Sequence, residues 1–289
     1  MKRRLHPLGK RKPGRSRGGD LANFLVLAVF GAVMLFPMVF VVGNAFKPLD
    51  ELFVYPPRLF VRNPTLDNFG MLSSVFTESW VPFPRYIFNT LFITLAATAG
   101  QVMIASMAGY VLEKKQFPGR TVIFKLVVTS LMFSAVVTAI PNYIIMSRLG
   151  WVDTYLAVIV PAAASSFGVF LMKQFMCNIP DSVLEAARID GAGEQTIFWR
   201  IVMPNIRPAW LTLIIFTVQS MWGTTGGNFL YSEELKTLPY ALSQVVAGGI
   251  IRTGAGAAIS LLMMIVPITV FIVAQRNVIQ TMMNSGIKE

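Results

Sequence analysis

Six long apolar runs, each free of charge or nearly so, divide this chain and decide what it can fold into. They cover Leu21 to Phe46, Tyr86 to Leu112, Val122 to Met146, Thr154 to Cys177, Ala209 to Leu230 and about Ala255 to Ala274. Lys125 and Lys173 are the charges inside them. Each stands near the end of its run, where a long side chain can reach the polar boundary. A helix of about 20 apolar residues matches the hydrocarbon thickness of a bilayer, and it satisfies its own backbone hydrogen bonds, as lipid demands. A β-barrel would need short alternating segments, and these runs are too long and too uniformly apolar. The expected fold is therefore all-α, with six transmembrane helices. Only 13% of the residues are charged and 54% are hydrophobic, whereas a soluble domain carries about a quarter charged.

The distribution of Lys and Arg orients the spans. With the N-terminus inside, the inner segments hold eighteen basic residues and the outer segments seven. Both termini are thus expected in the cytoplasm. Residues 1–20 form a basic tail, and residues 21–289 form the membrane domain. Its longest outer segment is 47–85, and its main cytoplasmic loop is 178–208. The tail is rich in Gly and Pro and cannot bury a core. It is expected to act as a topology anchor on anionic lipid. No aromatic side chains are interleaved with its charges, so a nucleic-acid partner is not expected.

Several function classes are disfavoured. One Cys (Cys177) and one His (His6) allow no disulfide framework and argue against a metal site. No G-x-x-x-x-G-K-[ST] phosphate loop is present, so the chain is expected to bind no ATP itself and not to be an enzyme of that type. Intramembrane ionisable groups, usual in ion-coupled carriers and voltage sensors, are almost absent at depth. Span two repeats small residues (Ala96 with Gly100, Ala105 with Gly109), which suits close helix packing. Span five is the most polar. Thr217, Ser220, Thr224 and Asn228 follow helical spacing on one face. Two readings fit that face: hydrogen bonding between helices, or the wall of a substrate pathway.

Between spans four and five lies a polar island, Pro180 to Pro204, on the cytoplasmic side. Ser182-x-x-Glu185 has the form of a capping box, so a helix is expected there, stopped at Gly191. A second turn is expected from Glu194 to Arg200. Ala186, Ala187, Gly191 and Ala192 have almost no side chain and allow another protein's surface to approach the backbone. Val183, Leu184, Ile197 and Phe198 are the expected apolar anchors. The residues themselves leave two alternatives open, an interfacial helix lying on the membrane and a docking helix for a partner.

The spacing Glu185-Ala186-Ala187, three residues, Gly191, nine residues, Ile201, one residue, Met203-Pro204 resembles the signature loop of ABC-importer permeases. Met203 stands where the family usually has Leu, which keeps an unbranched apolar side chain. Asp190 and Ala192 complete a longer form of the motif, similar to the carbohydrate-uptake branch, the maltose-type permeases. Phe36-Pro37 to Phe46-Lys47, Pro64-Thr65-Leu66-Asp67-Asn68-Phe69, Leu149-Gly150 with Asp153-Thr154, and Ile179-Pro180 carry the same resemblance over most of the chain. The resemblance implies a type I ABC-importer permease fold in a bacterial cell membrane. It also implies a second permease subunit, separate ABC ATPase subunits that use the ATP, and an extracytoplasmic solute-binding protein. Glu185, Ala186, Ala187, Asp190, Gly191, Ala192, Ile201 and Pro204 would dock the ATPase. A sugar or oligosaccharide is the implied solute. Amino acids, polyamines and phosphate remain alternatives within the class, and a non-transporting membrane scaffold or sensor is the alternative outside it.

Overall fold

The computed structural model describes residues 17–77, 81–249 and 252–285. The basic tail up to residue 16, Trp80 and the C-terminal residues that include Lys288 lie outside the described residues. Helix α1 (Arg17–Phe46) is one unbroken helix through Pro37. Its apolar side chains stand exposed over most of its length, a surface that suits lipid and not water. The outer segment has no long helix, as its prolines dictate. It forms α2 (Leu49–Leu52) and α3 (Asp67–Thr77), tied back to the end of α1. The buried Lys47 Nζ donates to Asn44 Oδ1 at 2.8 Å and to the Arg58 carbonyl at 2.5 Å. Asn68 Nδ2 donates to the carbonyls of Ala45 (3.0 Å) and Lys47 (2.7 Å). The Phe46-Lys47 and Thr65-to-Phe69 stretches thus meet in one corner.

Helix α4 (Phe83–Lys114) is the central span. Its small residues do meet neighbouring helices. A Cβ on Gly100 would lie 3.0 Å from Ala163 Cβ, and one on Gly109 would lie 2.9 Å from Met172 Cβ. The partner is span four, made of α7 (Leu156–Ala163) and α8 (Ser166–Met176). That span is interrupted at Ala164-Ser165, inside its small-residue run.

Two spans depart from the sequence expectation. Span three is not one continuous helix from Val122 to Met146. It consists of α5 (Arg120–Ser130) and α6 (Ala135–Arg148), bent by 114° at residues 131–134, and α6 runs on through Pro141. The bend falls at Leu131-Met132-Phe133-Ser134, which holds no Gly or Pro. Span five does not extend to Leu230. Helix α11 (Arg207–Trp222) stops at Gly223, because Gly-Thr-Thr-Gly-Gly follows and Gly226 and Gly227 take positive φ of 81° and 53°. Its 16 residues are about 24 Å long, short for a bilayer core. On the other side it meets the helix Glu194–Asn205 at 75°. The short outer helix α12 (Leu238–Ala247) precedes the last span, α13 (Thr253–Ser285). Among the described residues, four helices are long and apolar enough to cross a membrane, and the two bent pairs bring the number to six.

The interior has two main apolar clusters, one at each end. The outer one joins Leu72, Tyr86, Trp222, Leu238, Val245 and Ile259, and Trp222 Nε1 donates to the Met263 carbonyl at 2.8 Å. The turn before span four is closed onto this outer face by Asp153, whose carboxylate accepts from the backbone N–H groups of Tyr231 and Ser232, each at 2.8 Å. Hydrogen bonds from the Ser232 hydroxyl and backbone hold the Asp153 carboxyl below its ordinary range. The inner cluster is built from Tyr110, Met172, Met176, Leu184, Ile197, Phe198 and Leu213, and it carries the polar island.

Candidate functional site

The island folds as a helical lobe of two pieces, α9 (Asp181–Ile189) and α10 (Glu194–Asn205). Helix α9 begins at Asp181 with Pro180 in the cap position and no side-chain cap. The expected Ser182–Glu185 capping box does not form, because Ser182 already lies inside the first turn. Asp181 is held instead by α4. Lys114 Nζ donates to Asp181 Oδ1 at 2.7 Å and to the Ile179 carbonyl at 2.6 Å. The Lys114 side chain is 5% exposed and that of Asp181 is 75% exposed, so the lysine reaches out of the core to the helix start. Its hydrogen bond and charge keep the Asp181 carboxyl below the usual range. An acid at this end also suits the helix dipole.

The stop at Gly191 is a complete Schellman cap. Ala192 N–H bonds the Ala187 carbonyl at 2.9 Å, and Gly191 N–H bonds the Arg188 carbonyl at 3.0 Å. Gly191 has a φ of 81°, where a Cβ is strained. Asp190, as the residue before it, closes the last turn.

Burial sorts the residues of the lobe. Leu184 is 2% exposed, and Ile197 and Phe198 are also buried. These three pack into the chain's own inner core and are not anchors for a partner, which corrects the sequence reading. Ala187, Ala192 and Ile201 are half-buried against the same core. The surface that faces away is Val183, Glu185, Ala186, Asp190 and Gly191, with Ile189 86% exposed. Glu185 makes no side-chain hydrogen bond or ion pair among the described residues, although it is surrounded by residues that do. Pro204 is exposed in the last turn of α10. A π-helical turn, Ile197–Val202, precedes it. Pro204 has no N–H to offer the carbonyl one turn back, and the wider turn accommodates that deficit.

The residue that sequence reasoning missed is Glu194. Its carboxylate accepts from the Tyr110 hydroxyl at 2.7 Å and pairs with Lys115 Nζ at 2.5 Å and Arg188 Nε at 3.2 Å. It joins α9, α10 and the inner end of α4. Lys115 and Tyr110 drive its carboxyl down to about 2. Nearby, Lys173 does not merely reach for the boundary but pairs with Glu113 at 2.6 Å and lies over the Phe124 ring. A basic pair next to a polar loop was the available signal, but nothing local to Glu194 names its partners 80 residues upstream.

The polar face of span five divides. Thr217 and Ser220 line a cavity of about 720 Å³ together with Gln101 of α4. The Thr217 hydroxyl donates to Gln101 Oε1 at 2.5 Å, with the Leu213 carbonyl 2.7 Å away. Thr224 and Asn228 do not share that face, because the helix has ended. Thr224 sits in the following turn, where its carbonyl accepts from the Thr237 hydroxyl at 2.7 Å. Asn228 borders a separate cleft with Tyr143 and Tyr231. Both helix interruptions, at Phe133 and at Ala164-Ser165, open onto the 720 Å³ cavity. Non-helical backbone at membrane depth is tolerated where it lines such a space. Among the described residues, no group of three or more His, Cys, Asp or Glu side chains can hold a metal.

Comparison with known proteins agrees with this architecture. The chain is 31% identical over 235 residues to Protein LplC of Bacillus subtilis, covering 81% of this chain and 77% of that one. It is 30% identical over 233 residues to the arabinooligosaccharides transport system permease protein AraQ of Bacillus subtilis, covering 78% and 81%. A chain from the crystal structure of a bacterial ABC transporter involved in import of the acidic polysaccharide alginate superposes with a TM-score of 0.79 at 22% identity, covering 92% of this chain and 99% of that one. That likeness fixes the fold, a type I ABC-importer permease arrangement. The profile of the binding-protein-dependent transport system inner membrane components matches residues 20–284, and the chain belongs to that family of transport permeases.

Proposed function

We propose that this chain is the permease subunit of an ATP-driven importer for a sugar or oligosaccharide, and that it docks a separate ATPase through the α9–α10 lobe. Both termini and the lobe lie on the cytoplasmic side, as the excess of Lys and Arg directs. The observation that carries the reading is the outward face of α9. It presents Ala186 and Gly191, which allow close backbone approach, beside an exposed and unpaired Glu185, while every large buried side chain of the lobe is turned into the chain's own core. The apolar side chains that α9 does expose, Val183 and Ile189, share its surface with Glu185, Ala186 and Asp190 and do not form the broad apolar face of a helix resting on lipid. The sugar assignment is supported by the relative whose name is that of an arabinooligosaccharide permease.

ATP is bound and hydrolysed by the partner ATPase, and this chain binds no cofactor. A second permease subunit completes the pathway, and an extracytoplasmic solute-binding protein delivers the solute. Closure of the ATPase pair moves the lobe, and the lobe is rigidly held to α4 and α8 through Lys114, Glu194 and the inner core, so the spans move with it. ATP and the solute-binding protein then favour the same state, and each promotes the other's binding.

The test is Ala186→Trp in the full importer. Overpacking a close interface costs about 1–3 kcal/mol, or roughly 5- to 150-fold in affinity. The ATPase should be lost on co-purification while the chain stays in the membrane. Full retention of the ATPase and full ATP-driven uptake would refute the docking role. Ala186 is preferable to Gly191 for this purpose, because any side chain at Gly191 also strains the cap.

A further inference from the structure

We infer that the 720 Å³ cavity between α4, the two broken spans and α11 is a passage site for an uncharged, hydroxyl-rich solute and excludes uronates and phosphate esters. The inference rests on the permease reading above and adds the charge class of the solute.

Three observations carry it. First, among the described residues no Asp, Glu, Lys, Arg or His lines the cavity. Its polar groups are the amides of Gln101 and Asn142 and hydroxyls such as those of Thr138, Ser165 and Ser220. These are neutral donors and acceptors in a fixed array, the complement of a saccharide's hydroxyls. Second, the Gln101 side chain is 5% exposed, and Thr217 engages its Oε1. Gln101 lines the cavity, and its carboxamide nitrogen makes no hydrogen bond among the described residues. An amide donor left free beside the cavity suits a ligand that offers an acceptor. Third, Phe133, Ala164 and Ser165 at the interruptions in spans three and four line the same space, where non-helical backbone is tolerated.

The apolar part of the wall has a defined shape as well. Phe167 and Phe216 meet edge to face with ring centroids 5.7 Å apart, and Phe133 lines the same cavity. Aromatic faces with a few placed polar groups are the usual composition of a small-molecule site. An anion placed here would lose its hydration and gain no cationic partner from the described residues of this chain, and that penalty selects against it.

The experiment is uptake by the complete importer in ATP-charged proteoliposomes. The probes are neutral arabinose, xylose and glucose oligosaccharides of two to four units, trigalacturonate and sn-glycerol 3-phosphate. Uptake of at least one neutral probe and of neither anion is the expected result. Gln101→Leu and Ser220→Ala should each lower neutral uptake about five-fold, the loss of one hydrogen bond, with ATPase retention unchanged. Ser220→Ala adds no bulk, so it tests the site even if Gln101→Leu folds poorly. Uptake of an anion at a rate equal to the neutral probes overturns the inference, as does uptake of no neutral probe. Wild-type neutral rates in both variants also overturn it. Failure of the wild-type chain to retain an ATPase brings down the permease reading instead, which separates the two failures.

Discussion

The docking lobe and the membrane cavity are built on opposite plans. The lobe is a surface element anchored by Leu184, Ile197 and Phe198, which are buried in the inner core, while Val183, Ile189 and Trp199 stay exposed. It is then fastened at three charged points, Lys114 to Asp181 and Lys115 and Arg188 to Glu194. Its outer face combines the small Ala186 and Gly191 with the exposed Val183, Glu185 and Ile189. The cavity has the reverse design. It lies at membrane depth, is lined by no charged side chain among the described residues, and is bordered by hydroxyls and amides, some of which also join neighbouring helices. A region that transmits force must be stiff and fixed at several points. A region that lets a solute pass must bind weakly, and neutral hydrogen-bonding groups do that without holding an ion.

Substitutions that remove the hidden half of each plan separate them. Leu184→Ala should have the largest effect, a loss of about 2–5 kcal/mol of local stability, because Leu184 is 2% exposed within the inner core. Hydrogen exchange should show α9 opening while α4 and α13 keep their protection. Val183→Ala, at a residue 43% exposed, should cost under about 0.5 kcal/mol. Equal effects at the two positions would mean that the lobe does not rest on the core. In the cavity, Thr217→Val removes the partner of Gln101 Oε1 and should cost about 1–3 kcal/mol, read as a lowered melting temperature of the solubilised protein. Ser220→Ala should change stability by under about 0.5 kcal/mol and so leave that melting temperature nearly unchanged, since Ser220 is exposed to the cavity.

The same contrast explains what the sequence made legible. Apolar run length marked the spans, because bilayer thickness acts on local composition. The lobe was legible because its devices are short-range: a glycine at φ 81° stops α9, and small residues sit within one turn of it. Which side of α9 faces the core was not legible, since Val183 and Leu184 are adjacent and equally apolar, and only tertiary packing sorts them. The break at residues 131–134 was hidden because no Gly or Pro marks it. The break coincides with the cavity, which Phe133 lines. The end of span five was the opposite case. The glycines at 223, 226 and 227 signalled it, but the helical spacing of Thr217, Ser220, Thr224 and Asn228 was followed past them, and only the first two share the cavity.

Glu194 offers the finest test of how the lobe is fastened. Its carboxyl is lowered from an ordinary 4.5 to about 2, chiefly by Lys115 and then by Tyr110. A lowered acid favours the assembled lobe only while it is ionised there. Its contribution is therefore complete above about pH 4.5 and is lost as the pH falls through about 2. Glu194 and Lys115 are both partly exposed, so solvent screens the pair and its worth is under about 1 kcal/mol. Spin labels on α10 and on the inner end of α4 would report the contact directly. In wild type the distance distribution should be narrow at pH 6 and broaden as the pH is lowered from 4.5 toward 2, and added salt should broaden it further. Glu194→Gln should be slightly broad at pH 6 and insensitive to both changes. If the variant kept the wild-type pH response, the fastening would lie elsewhere, and Lys114 with Asp181 would be the pair left to carry it.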